Sequence, residues 1–345
     1  MKKLLSVLLS ILCLAALLVP GTTAAFAEGP ELSGTMKVVA TNESYLELFE
    51  KFAEETGVKI ELLSMSSGEV LSKLRAEGGA PSADLWFGGG MDAFMSAKAD
   101  GLLEQVSFDA AKDLAPEFKD EDNYYFSKGI TIVGFLVNNK LLEELKLDTP
   151  MSWQDLLKEE YQGEIIMSNP AVSGTNYAVV YNLLAAMGEE EGWKYFEALN
   201  RNIAQYAKRG KDPMTKVSAD EFAVGITYID GTIEALLEDY DVSIIYPEDG
   251  VPWVPEGVAV FKNAENAEAA KAFVEWLFSS DENLKLLAQI DKKNSVKTIK
   301  PSLEGLELNY DTGLLLEEDF TDYGSSRESI LERFTALMGD KVVDE

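Results

Sequence analysis

The chain has 345 residues and a formal net charge of −30, with one cysteine and no histidine. So acidic a surface repels nucleic acid and anionic lipid. The missing histidine and the lone cysteine exclude Ser-His and Cys-His nucleophilic machinery, the usual zinc sites and an internal disulfide.

In chain order, Lys2 and Lys3 precede an apolar run from Leu4 to Val19 and the small-residue stretch Ala25-Phe26-Ala27. This is the pattern of a secretory leader, predicted to be removed after Ala27. Cys13 lies inside the apolar run after Leu12, not after a small residue, which disfavours lipid attachment. No later stretch is apolar and long enough to cross a bilayer. The mature chain is therefore expected outside the cytoplasm, in the periplasm or an equivalent space, and it is long enough for two domains.

Strand and helix patterns then alternate. Met36–Ala40, Val58–Leu63 and Asp84–Phe87 read as strands, with a helix over 45–56 ended by Gly57. Ile130–Val137 reads as a long buried strand, and Glu164–Met167, Ala223–Ile229, Val242–Tyr246 and Gly257–Phe261 as further strands. Helix patterns fall at Trp153–Lys158, Thr175–Met187, Glu190–Leu199, Thr232–Leu237, Ala267–Phe278, Asn283–Gln289 and Ser326–Met338. The expected class is α/β, two lobes with mostly parallel sheets joined by crossing strands and a ligand cleft between them. The long strand would be one crossing and the proline-rich stretch Pro247–Pro255 the return. Lobe 1 would comprise residues 28–133 and 255–345, and lobe 2 residues 134–254.

Five loops stand at strand-to-helix junctions, where such folds bind ligands. They are Thr41-Asn42-Glu43-Ser44, Ser64-Met65-Ser66-Ser67-Gly68, Gly88-Gly89-Gly90, Asn169–Thr175 and Tyr228-Ile229-Asp230-Gly231. Any one of them is accounted for by helix capping. Their recurrence points to several helix N-termini, with unpaired N–H groups and partial positive charge, converging on an anion or polar solute. Gly88–Gly90 lacks the G-x-G-x-x-G spacing of a dinucleotide site. Arg209, in the loop Lys208–Pro213, is a candidate anion clamp or a solvated turn. Trp253 reads as packing or as a stacking surface for a ring.

These segments resemble, in the same order, the type II periplasmic solute-binding proteins of ABC importers, in the branch holding ferric-ion-binding and hexose-phosphate-binding members. The resemblance runs over roughly residues 34–300. It rests on Phe49–Ile60, Ser66–Glu69, Ala83–Phe94, Pro150–Leu157, Gln162–Ile165, Asn169–Thr175 and Ala270–Leu277. It implies lobe closure around a ligand. Ferric-binding members typically carry adjacent tyrosines where this chain has Thr227-Tyr228-Ile229-Asp230, and Ile229 stands where sugar-phosphate-binding members commonly have histidine.

The expectation is a substrate-binding protein of an ABC importer, not an enzyme, that captures a small anionic organic solute resembling a sugar phosphate or phosphonate. The alternatives are a ferric-iron-binding protein of an importer and, from another class, an exported hydrolase using carboxylates. The expected ligand-binding residues are Thr41, Asn42, Ser66, Ser67, Gly89, Gly90, Asp92, Ser173, Gly174, Thr175, Arg209, Tyr228 and Asp230. No catalytic residue, metal site or cofactor is expected. The expected partners are a small-molecule solute and the importer's membrane subunits, with no nucleic acid, and the expected state is a monomer.

Overall fold

The computed structural model describes residues 32–308 and 310–342. The expected leader, Cys13 included, lies outside the described residues. The first strand–helix units are β1 (Thr35–Ala40), α1 (Leu46–Thr56), β2 (Lys59–Ser64), α2 (Ser67–Ala76), β3 (Leu85–Gly90) and α3 (Met91–Ala99). A two-residue strand β4 (Leu103–Glu104) precedes the long β5 (Phe126–Asn138). The middle of the chain forms α4 (Asn139–Leu145), β6 (Ile165–Ser168), α5 (Gly174–Met187), α6 (Glu189–Asn202), β7 (Ile203–Ala207), α7 (Asp212–Ser218), β8 (Val224–Ile229), α8 (Gly231–Asp239) and β9 (Val242–Ile245). The chain returns through β10 (Trp253–Phe261) into α9 (Ala267–Ser279), α10 (Asp281–Asp291), α11 (Val296–Ile299) and α12 (Arg327–Met338).

Local sequence accounts for most of these elements. α1 buries Leu48, Phe49 and Phe52 on one face and stops at Gly57, whose φ of 79° suits a residue without a Cβ. β5 is buried along its whole length and rich in β-branched residues, as a strand covered on both faces should be. The main sheet path runs β2-β1-β3-β10-β5-β8-β6-β7. Pairing is parallel where β1 meets β2 and β3 and where β6 meets β7 and β8. β5 and β10 run antiparallel to their neighbours and join the two halves. The first half of β5 pairs with β10, with Ile132 opposite Trp253, and from Ile132 onward it pairs with β8. The long strand expected as one crossing is β5, while the return runs through β10 and overlaps the expected Pro247–Pro255 only at its start; together they weld the two sheets into one.

Two large apolar cores pack against the joined sheet, and the first draws residues from both halves, Ile166, Val217 and Ile229 among them. One gathers Met36, Phe49, Phe87, Phe273 and Leu277, and the other Phe135, Trp153, Ile165, Val180 and Val224. α12 carries Phe334 and Met338 into the second core, alongside residues from the middle of the chain. A third cluster stacks Trp86 on Phe94 at 3.9 Å between ring centroids and adds Tyr177 and Tyr323.

Several local expectations change. Gly88–Gly90 is the end of β3, not a loop, with Gly90 paired to Glu256 of β10, and Gly88 and Gly89 take φ of 88° and 94° that only glycine holds without strain. The helix expected at 153–158 shrinks to a single 3-10 turn, Asp155–Leu157. Trp153 is instead fixed by burial and by its indole N–H donating to the Gly250 carbonyl at 2.9 Å. Trp253 is a packing residue: its indole donates to the Leu316 carbonyl at 2.8 Å and its ring meets Phe320 at 4.8 Å.

The segment holding Leu316 also carries Glu318, whose two carboxyl oxygens are buried without a partner. Burial pushes its pKa up to about 7. A carboxyl raised in the fold stabilises it at low pH and loses that contribution as pH rises from the ordinary value through about 7. Glu318→Gln is expected to flatten this fall in melting temperature and to melt higher than wild type at pH 8. Thermal scans from pH 5 to 8 check it, and parallel curves for the two proteins would refute it.

Candidate functional site

Three helix N-termini meet at one point. Ser66 and Ser67 begin α2, Gly90 precedes α3, and Ser173 caps α5. The Ser66 amide donates to Glu69 Oε2 at 2.9 Å, and the Gly68 amide donates to the Val172 carbonyl at 3.2 Å. That second bond joins the helix after β2 to the loop after β6, across the crossing strands. The backbones touch here because side chains are missing. A Cβ on Gly174 would stand 2.5 Å from Ser67 Oγ and 2.8 Å from the Gly90 amide nitrogen, and one on Gly89 2.6 Å from Ser67 Cβ. Gly210 closes the third side, its would-be Cβ 3.4 Å from Ser173 Oγ and 4.0 Å from Ser66 Oγ.

Ser173 Oγ accepts from the Asn176 amide at 3.3 Å and lies 3.0 Å from Thr175 Oγ1, so Ser173 is committed to its helix cap while Thr175 is half-buried beside it. Thr41 lies against Gly88 and Gly89. Its neighbour Asn42 caps the following turn with Oδ1 and donates from Nδ2 to Thr232 Oγ1 at 3.2 Å. Asp230 caps α8, accepting from the Thr232 and Ile233 amides at 2.8 and 3.2 Å. A row of polar groups therefore runs from Thr175 through Ser67 and Thr41 to Asp230, with both sides of the crossing contributing.

Beneath the Asp230 end lies a buried charge network that sequence reasoning missed. Lys128, at 0% exposure, bonds Glu256 at 2.8 Å and Asp291 at 3.1 Å, and Tyr45 Oη donates to Asp291 at 2.7 Å. Lys293 donates to Thr131 Oγ1 at 2.9 Å and stands 3.6 Å from Glu256. Burial alone would raise the Glu256 carboxyl, but Lys128 and Lys293 hold it below the usual range. Asp230 goes the other way: burial raises it more than Lys293 lowers it. A small cavity of about 10 Å³ adjoins Asp230, Glu234, Lys293, Tyr246 and Tyr310, room for about one water. The missed signal was a charged residue inside an apolar strand: Lys128 precedes Ile130, and Glu256 sits in the return crossing.

The remaining expected residues fall elsewhere. Asp92 turns away, its Oδ2 held by Arg327 Nε at 2.7 Å. Arg209 has an exposed side chain, and its carbonyl accepts from Ser168 Oγ at 2.7 Å. Tyr228 is half-buried in β8 opposite Val133, with its hydroxyl pKa raised by burial. Among the described residues no group of three or more His, Cys, Asp or Glu is placed to hold a metal ion, and no helix is long and apolar enough to cross a membrane.

The sequence model of the bacterial extracellular solute-binding proteins matches residues 80–294. The chain belongs to that family. A protein of Haemophilus influenzae is 26% identical over 299 residues, covering 82% of this chain and 84% of that one. A probable ABC transporter periplasmic-binding protein of Sinorhizobium fredii is 29% identical over 238 residues, 66% of this chain and 65% of its own length. Among solved structures, the periplasmic binding protein AfuA from Actinobacillus pleuropneumoniae, with exogenous fructose-6-phosphate bound, superposes with a TM-score of 0.80 at 27% identity, covering 88% of this chain and 98% of that one. The solute-binding fold, two sheet halves joined by crossing strands, is thus shared along nearly the whole described chain.

Proposed function

We propose that this solute-binding protein is the capturing subunit of an ABC importer and that its ligand is a small organic anion of the sugar-phosphate or phosphonate kind. It works as a monomer outside the cytoplasm, makes and breaks no bond, and closes two lobes, residues 28–133 with 255 onward and residues 134–254, except that α12, expected in the first, packs into the core of the second. The observation that carries this reading is the meeting of the α2, α3 and α5 N-termini around Ser66, Ser67, Ser173, Gly174 and Thr175. Backbone amides and hydroxyls there suit an anionic head without a lysine. Gly89, Gly90 and Thr41 line the same row. The AfuA likeness, in a protein solved with a sugar phosphate, supports the same class.

Asp230 and Asn42 sit at the other end of the row. A carboxylate there would repel a second anion, so the ligand's far end presents hydroxyl or amine donors. Asp230→Asn keeps one hydrogen bond and loses the charge, which is expected to weaken binding about tenfold or more. Calorimetric titration with fructose 6-phosphate, 2-aminoethylphosphonate and inorganic phosphate tests this. The loss should be largest for the two organic ligands and least for bare phosphate. Saturable ferric binding with a colour lost in Tyr228→Phe, and no heat from the organic anions, would replace this ligand with iron.

A further inference from the structure

The loop that presents Ser173–Thr175 is held from three sides. Gly68 of α2 bonds Val172, Gly90 before α3 abuts Gly174, and from the C-terminal region Arg327 Nη2 donates to the Ala171 carbonyl at 3.1 Å. Arg327 is the first residue of α12 and lies beyond the segment that matches the family model. Its Nε binds Asp92 Oδ2 at 2.7 Å on α3, and its guanidinium lies 5.8 Å from the Tyr177 ring centroid on α5. One side chain thus connects α3, the 169–173 loop and α5, which belong to opposite sides of the crossing strands.

We propose that Arg327 is a positioning residue for solute capture: by tying Asp92 to the Ala171 carbonyl it pins the anion-facing loop against α2 and α3 and biases the two lobes toward the closed arrangement. The physical case rests on burial and reach. Asp92 is fully buried, and Arg327 is its one charged hydrogen-bond partner among the described residues, so the pair is screened little by water. The guanidinium fork reaches a carboxylate and a carbonyl at once, which an ammonium cannot do in the same geometry. α12 is anchored independently, with Phe334 and Met338 in the second core, so the fork is carried by a rigid support. The same geometry explains why Asp92, at the start of α3 beside the glycine run, does not face the polar row.

The test uses the whole chain, and its binding arm rests on the proposed anion site while its shape arm does not. Small-angle scattering without ligand should give a larger radius of gyration for Arg327→Gln than for wild type, and titration with inorganic phosphate should show affinity lowered about tenfold. Arg327→Lys, which can pair with Asp92 but not also reach Ala171, should fall between. If Arg327→Gln fails to fold, Arg327→Lys and Asp92→Asn carry the same two measurements. A variant that melts lower yet keeps the wild-type radius and phosphate affinity overturns the proposal and makes Arg327 a structural tie only. A larger radius in a protein whose wild type binds neither phosphate nor organic phosphates leaves the pin standing and removes the anion reading.

Discussion

Lys128→Met is expected to destabilise the fold by about 3–5 kcal/mol at neutral pH, the usual consequence of leaving buried charges without their partner. Methionine fills most of the volume of the lysine stem, so a cavity contributes little. The loss is electrostatic: Glu256 and Asp291, 7% and 6% exposed, would lose the ammonium they share, with Lys293 standing 3.6 Å from Glu256. The lysine also ties distant segments of one half together, lying 4.7 Å from the Tyr45 ring centroid while bonded to β10 and the end of α10. Urea denaturation measures the effect. The deficit should shrink as pH falls, because Glu256, held below its ordinary pKa by Lys128 and Lys293, contributes stability above the unfolded value and loses it on protonation. Lys128→Met with Glu256→Gln should be less damaged than Lys128→Met alone. A deficit under about 1 kcal/mol would mean that water reaches the network.

Gly68→Ala separates closure from folding. A Cβ at residue 68 would overlap the Ala171 carbonyl oxygen and lie 2.8 Å from Val172 Cα, both backbone atoms of the facing loop. Neither can rotate away, so the α2 N-terminus could not approach that loop. Overpacking of this kind costs about 1–3 kcal/mol, roughly 5- to 150-fold in affinity. Within α2 alone, alanine is the better helix former by about 1 kcal/mol. The expected result is a variant that binds poorly and yet melts no lower than wild type when no ligand is present. Wild-type affinity would show that α2 and the 171–174 loop do not meet in the bound form.

The resemblance carried by Ala83–Phe94 and Asn169–Thr175 led to the right fold, and the serine and glycine loops at strand ends led to the helix starts that converge. Those stretches are local: a strand end, small residues and a cap lie within a dozen positions, and each fixes its own backbone. Asp92 went the other way. Its place in the glycine run suggested a ligand contact, but its partner Arg327 comes from 235 residues away, and no spacing announces such a pair. The expected start of the long strand at Ile130 left Lys128 outside it, because a lysine breaks an apolar pattern unless its counter-charges are known. β7 went unseen because it follows α6 without a break and its five residues inherit the helix's register.

By itself the amino-acid sequence determined the alternation of strands and helices, the serine and glycine starts of α2, α3 and α5, and the long apolar strand that became β5. These follow from periodicity, capping and the conformational freedom of glycine, which act over a few residues. Only the tertiary structure decided the register by which β5 passes from β10 to β8, that Lys128 and Lys293 face Glu256 and Asp291 beneath the polar row, and that α12 returns to place Arg327 between Asp92 and Ala171. Those depend on distant segments sharing a dry interior, where a charge persists only beside its partner, and the partner is chosen by the packing of the whole chain.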